Sequence, residues 1–321
     1  MARIEVIAYS PTEMVEEQDC TVGRCRELVE KFNVTWVNVV DPDSRTMQEL
    51  ETLFALHPLA LEDSARSYIT PKLEVYDDTL FIVARTIVWT EEITTDQLSM
   101  FLSKHFLVTI HDKVFPQLED IRVRIRKKNP KLLKSGTDYL FYVIMDTIVD
   151  SYFPHLDHFS EVISKLEDEV IKAPLKTGIN QIHDIRTDLL RLRNLLTPQR
   201  DMVAQLSRAD LPVFKKEMRV YLRDIFDHMI LVLDNLDTHR EVVTSLMEVQ
   251  STLVSNSLNE VIKVLTVIFT ITIPASIITS AFGMNVWYPG FLEPLGLAIA
   301  LGLMIVFSLI TFIYLRGKKW L

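Results

Sequence analysis

The sequence holds 321 residues, 48% hydrophobic and 24% charged, with a formal net charge of −9. That acidic balance argues against a nucleic-acid partner and suits a chain that meets cations. A mean hydropathy of +0.17 is high for so charged a chain, so charged and apolar residues must be segregated along it.

Met1–Tyr9 lacks the basic-then-apolar layout of a signal peptide, which predicts a cytoplasmic first domain. Strands are predicted over Arg3–Tyr9, Val34–Val40, Leu73–Tyr76, Thr79–Trp89, Gln97–Ser103 and Phe106–His111, all rich in β-branched and aromatic residues. Asp77-Asp78 and Lys104-His105 read as turns between neighbouring strands, and helices as filling Ser44–Ala55 and Pro116–Arg126. These elements make an α/β domain with a mixed sheet. Cys20 and Cys25 form no CxxC and no disulfide framework, so the expectation is two ordinary thiols.

From about Thr137 the pattern becomes wholly helical. No glycine occurs between Gly178 and Gly283, and the prolines there are Pro198, Pro212 and Pro274. With helix breakers so sparse, Pro212 to Phe282 is predicted as one helix, roughly 100 Å long at ~1.5 Å per residue. Val264–Phe282 and Leu295–Leu315 carry no charge and approach the ~20 apolar residues that cross a hydrocarbon core. Lys263 precedes the first span, and Arg316, Lys318 and Lys319 follow the second, whereas the link between them has only Glu293. Positive charge inside places both termini in the cytoplasm of a cell membrane and the link outside. The predicted division is 1–135 α/β domain, 136–260 helical hairpin and stalk, 261–283 first span, 284–294 outer loop, 295–315 second span and 316–321 basic tail.

Two helices cannot enclose a water path, so conduction requires several copies around an axis. The first span is the better pore lining, because Thr266, Thr270, Thr272, Ser276, Thr279 and Ser280 dot it. Hydroxyls bonding back to their own helix carbonyls are the plainer reading of such residues. Just beyond lie Gly283, Met284 and Asn285. A glycine can end the helix with positive φ, after which Asn285 can aim an amide oxygen at the axis. Mg²⁺ sheds water reluctantly, and neutral carbonyl oxygens can hydrogen-bond its hydration shell without holding the ion too tightly.

Phe282-Gly283-Met284-Asn285 between two C-terminal spans, with the basic end Lys318-Lys319-Trp320-Leu321, resembles the CorA magnesium transporters. His57-Pro58-Leu59-Ala60-Leu61-Glu62-Asp63, Thr70-Pro71-Lys72, Leu222-Arg223-Asp224 and Asn259 to Thr266 are also similar to family segments. The resemblance implies a funnel-shaped homopentamer in the bilayer, a long stalk helix continuing into the pore helix, and passive entry of Mg²⁺, with Co²⁺ and Ni²⁺ also carried. By the same resemblance Gly283, Met284 and Asn285 are the selectivity motif, Asn259 a polar ring at the inner entrance, and Ile262 and Leu265 the hydrophobic constriction. Ile273 and Ser276 match pore positions further out, with Ser280 on the same span. Asp63 and Asp224 match a pair that binds regulatory Mg²⁺ between protomers, with Glu62 and Asp146 at a second, looser site.

Neither a GxxxxGK[ST] nor a GxGxxG occurs, so no nucleotide engine and no enzyme is expected. A divalent cation gains about 4–5 kcal/mol per 100 mV of inside-negative potential without one. His155-x-x-His158 beside Asp157 has metal-binding spacing, but an exposed polar face accounts for it better. Two alternatives stand beside the Mg²⁺ channel: a Zn²⁺ or Cd²⁺ transporter of the same superfamily, and a non-conducting membrane-anchored sensor.

Overall fold

The computed structural model describes residues 2–66, 69–89, 93–113, 115–173, 179–284 and 294–318. In chain order its elements are β1 (Arg3–Tyr9), β2 (Met14–Gln18), α1 (Val22–Lys31), β3 (Val34–Val40), α2 (Ser44–Phe54), α3 (Pro58–Ser64), β4 (Lys72–Tyr76), β5 (Thr79–Trp89), β6 (Ile93–Leu102) and β7 (Phe106–His111). Helices follow: α4 (Pro116–Arg126), α5 (Pro130–Lys134), α6 (Thr137–Asp150), α7 (Phe153–Lys172), α8 (Ile179–Arg208), α9 (Met218–Phe282) and α10 (Pro294–Gly317).

The strands form one seven-stranded sheet in the order β2-β1-β3-β7-β6-β5-β4. Only β3 and β7 pair in parallel, with Val37 opposite Val108, so the sheet is mixed as the sequence predicts. Side chains alternate across it with period two. Val6, Ala8, Val37, Val39 and Val108 pack under α1, α2 and α3 in a core with Cys25, Leu28, Leu50, Phe54 and Leu61. Trp36 points to the other face, where its indole donates to Thr109 Oγ1 at 3.0 Å. On that side α6 lies over β3, β6 and β7, and α8 over β4 and β5. Strand β4 reaches no further along β5 than Val83. The next N–H on that edge, at Arg85, is satisfied instead by Gln199 Oε1 of α8 at 2.8 Å.

Several expected bounds shift. The long helix begins at Met218 rather than Pro212, because Pro212 lies in the connection between α8 and α9. At ~1.5 Å per residue its 65 residues still run roughly 100 Å. The sequence reading missed β2, α1, α3 and α5 and started β6 at Gln97 instead of Ile93.

Contacts divide the chain into one unit of Met1–Asp168 with Gly178–Ser245, and a second of Glu169–Thr177 with Leu246–Leu321. In the second unit the apolar windows of α9 and α10 are long enough to cross a membrane. None of the α9 window is buried and 11% of the α10 window is, so neither window is a buried core segment of this chain.

Candidate functional site

Asn259, Ile262, Leu265, Ile273, Ser276 and Ser280 all lie on the C-terminal part of α9. At about 100° per residue they fall within one arc of about 120°. This face is open: Ile262 is 58%, Leu265 48% and Ile273 52% exposed. About 180° around the helix lie buried Val267 and the half-buried Ile271, Pro274, Ala275, Ile278 and Phe282. That is the side α10 takes. Ile271 lines a groove with Leu301, Met304 and Ile305, and Thr279 Oγ1 lies 3.8 Å from Met304 Sδ. The candidate pore face therefore points away from the second span.

The hydroxyls divide by hydrogen bonding rather than by face, since Thr266 falls within the same arc. Thr266, Thr270, Thr272 and Thr279 bond back to the carbonyls of Ile262, Thr266, Ile268 and Ala275 at 2.6–2.9 Å. Their polarity is spent within the helix. Among the described residues, Ser276 and Ser280 make no such bond and keep their hydroxyls free on the open face.

Gly283 corrects one expectation. It does not take the left-handed conformation. Its N–H makes one more helical bond, to Thr279 O at 2.9 Å. A Cβ at this position would stand 3.3 Å from that same carbonyl. Met284 is exposed. Asn285 and the rest of the expected outer loop up to Glu293, with Lys319, Trp320 and Leu321, lie outside the described residues.

In the sheet-bearing unit, α3 is built to present two carboxylates. His57 caps it, accepting from Leu59 N–H at 3.3 Å, and Pro58 opens its first turn. The His57 ring is held by stacking on Tyr76, with centroids 4.2 Å apart. Asp63 then meets Lys72 of β4, Oδ2 to Nζ at 2.5 Å, and Lys72 also pairs with Glu74 at 2.9 Å. The other oxygen of Asp63 has no partner among the described residues. Glu62 pairs with Arg66 at 2.5 Å. Asp224, on α9, is exposed and has no ion-pair partner among the described residues. Within one chain it is not brought to Asp63.

What the fold does bring together is Asp146, Asp150 and His228, whose ligating atoms all lie within 4.8 Å of one another. His228 Nδ1 stands 3.3 Å from Asp150 Oδ1, close but without hydrogen-bond alignment. Burial first, then the charges of Asp150 and Asp224, push the Asp146 carboxyl up from 3.8 to about 6, with His228 opposing. Asp224 therefore belongs to the same electrostatic neighbourhood as Asp146. Sequence reasoning named Asp146 and Asp224 but missed Asp150 and His228. The available signal was the i, i+4 spacing of Asp146 with Asp150 and of Asp224 with His228. His155 is half-buried while Asp157 and His158 are exposed, in keeping with a polar helix face.

The raised Asp146 value has a testable consequence. Without metal, the folded state holds a proton there up to about pH 6, where the unfolded chain releases it near 3.8. The resulting stability is fully present below the lower value and is lost as pH rises through the upper one. Discounting for solvent, Asp146→Asn should stabilise the metal-free protein by about 1–2 kcal/mol at about pH 8, and not at all below about pH 4. Urea midpoints in EDTA at the two pH values check this; equal gains at both would contradict it.

A family model described as "CorA-like Mg2+ transporter protein" matches residues 32–319. The chain belongs to the CorA family. The cobalt/magnesium transport protein CorA of Thermotoga maritima is 33% identical, over 99% of this chain and 92% of that protein. The zinc transport protein ZntB of Pectobacterium carotovorum is 24% identical, over 79% of this chain and 77% of its own. Among solved structures, the complete CorA magnesium transporter from Methanocaldococcus jannaschii matches with a TM-score of 0.85, covering 99% of this chain and 98% of that one. At 23% identity that likeness shows the CorA fold alone.

Proposed function

We propose that this chain is one subunit of a homo-oligomeric channel, five copies around an axis, through which Mg²⁺ enters passively down the membrane potential, with Co²⁺ and Ni²⁺ as further cargo. One observation carries the proposal: the distal part of α9 has two unlike faces, one packed by α10 and one left open with the two free serines. An open face of Ile262, Leu265 and Ile273 with Ser276 and Ser280 needs a second environment, and copies of itself around a water path supply it. The basic residues Lys263, Arg316 and Lys318 flanking the spans favour cytoplasmic termini in the cell membrane.

Apolar Ile262 and Leu265 close such a path by excluding water, while the hydroxyls and the Gly283-Met284-Asn285 motif meet a hydrated ion. Regulation belongs to the carboxylates. Mg²⁺ between protomers takes Asp63 of one copy and Asp224 of the next, and Glu62 and Asp146 serve a looser site that Asp150 and His228 complete. A Zn²⁺ reading draws on the ZntB relative. Hydroxyls and amides on the open face are poor ligands for so soft a cargo, which favours Mg²⁺.

Ile262→Gly tests the pathway. In proteoliposomes with high Mg²⁺ on both faces, where the parent is shut, the variant should leak at least about tenfold faster, because the dewetted constriction has lost its apolar ring. A leak no larger than the parent's would remove this face of α9 from the ion path.

A further inference from the structure

The chain's only two cysteines come together at the start of α1, at sulfur–sulfur contact of 3.4 Å. Local helix chemistry is what brings them there. Thr21 is the N-cap, its hydroxyl accepting from Arg24 N–H at 3.2 Å. Cys20 is therefore the residue before the cap and Cys25 the fourth of the helix, the two positions where an apolar pair commonly clasps a helix start. Here the clasp is made of two thiols. Cys25 is fully buried in the core under the sheet, and Cys20 is half-buried and packed against that core.

We propose that Cys20 and Cys25 are a redox modification site, closing into a reversible intrachain disulfide when a hydroperoxide reaches Cys20. A disulfide needs its sulfurs about 2.05 Å apart, so closure asks for about 1.3 Å. Cys20 can supply that movement, because it lies in the link between β2 and α1 outside both elements. Asp19, just before it, holds a left-handed φ of 52°, and Ile4 O tethers the link by accepting from Cys20 N at 3.2 Å and from its thiol at 3.6 Å, the weaker bond being the one closure breaks.

The thiols are unequal in the way this chemistry requires. The Cys25 hydrogen bond favours the Cys20 thiolate and holds it below the ordinary thiol range, against burial and the charges of Glu17 and Asp19. The same bond, with burial, pushes Cys25 up. Cys20, half-buried and so the sulfur a peroxide can reach, is the attacking one, and fully buried Cys25 the resolving one. The Cys20 thiolate attacks one peroxide oxygen; the O–O bond breaks, the other oxygen leaves and takes a proton, and Cys20 becomes a sulfenic acid. Cys25 then gives up its proton, its sulfur attacks that of Cys20, and the S–O bond breaks with loss of water. Two thiols lose two electrons and two protons, and hydrogen peroxide becomes two waters.

The test uses the full-length protein in detergent, reduced, freed of reductant and exposed to hydrogen peroxide. It is then acid-quenched, denatured, alkylated with iodoacetamide and weighed intact. The expected product is a single chain two hydrogens lighter that takes up no alkyl group, with both groups returning after dithiothreitol. Cys25→Ala should strand Cys20 as a sulfenic acid that dimedone captures, and Cys20→Ala should leave Cys25 a free thiol. Two alkyl groups on the oxidised parent would overturn the proposal. So would a disulfide joining two chains, or over-oxidation of Cys20 without a bridge.

Discussion

Asn285→Ala is expected to reduce Mg²⁺ flux at least about a hundredfold while the oligomer still assembles. The reason lies in what Mg²⁺ keeps rather than in what binds it. Its inner waters leave slowly, so a filter that works quickly must grip the hydrated ion through those waters. A neutral amide oxygen accepts hydrogen bonds from them, each worth about 1 kcal/mol, and several copies around an axis sum to several kcal/mol. Alanine removes all of these acceptors at once without changing the backbone. The substitution falls in sequence after α9, which ends at Phe282, so the helix itself is untouched. Dye-reported flux in proteoliposomes, with size-exclusion elution as the assembly control, reads both quantities. Normal flux from an assembled variant would take Asn285 out of the selectivity role.

Asp224→Lys should make the protein resist proteolysis in EDTA as regulatory Mg²⁺ is expected to make the parent resist it. Asp224 is exposed and without an ion-pair partner among the described residues, yet its charge reaches Asp146 and Tyr142. Lysine at this position adds a fixed positive charge to a cluster of carboxylates, as a bound Mg²⁺ would. If one regulatory Mg²⁺ sits between each pair of neighbouring copies, a hundredfold excess over its dissociation constant contributes about 2.7 kcal/mol per site. Three or more such sites exceed the ~5.5 kcal/mol that swings a two-state gate from 99:1 to 1:99. Lysine should therefore slow cleavage in EDTA to the parent's rate in Mg²⁺ and flatten the Mg²⁺ dependence. Cleavage that stays as Mg²⁺-dependent as the parent's would exclude Asp224 from the sensor.

Much of the sheet was legible because its strands are apolar and β-branched: Val34–Val40 and Phe106–His111 have the bounds their composition predicts. Strand β2 was not, because Met14-Val15-Glu16-Glu17-Gln18 is a short, half-buried acidic edge that pairs with β1. Helix α1 was hidden by Gly23 and a charged composition, and its one clear signal is the Thr21 cap. On α9, chemistry marked the hydroxyls, but only the structure separates Ser276 and Ser280 from the threonines whose bonds return to the helix. The Asp146–Asp150–His228 cluster joins residues 78 positions apart in sequence, Asp150 with His228, and such meetings come from packing. The Cys20–Cys25 contact was obscured for a different reason. Four intervening residues suggest no motif until a helix start folds the first back over the last.

The most direct test is Mg²⁺ influx into sealed liposomes carrying the purified full-length protein, with Co²⁺ and Zn²⁺ run in parallel. A potassium diffusion potential, inside negative, is the sole driving force and no nucleotide is present. The account predicts Mg²⁺ entry that grows with the potential, since each 100 mV adds about 4–5 kcal/mol for a divalent ion, and Co²⁺ entry alongside it. No flux of any of the three ions, or Zn²⁺ entry without Mg²⁺ entry, would contradict it.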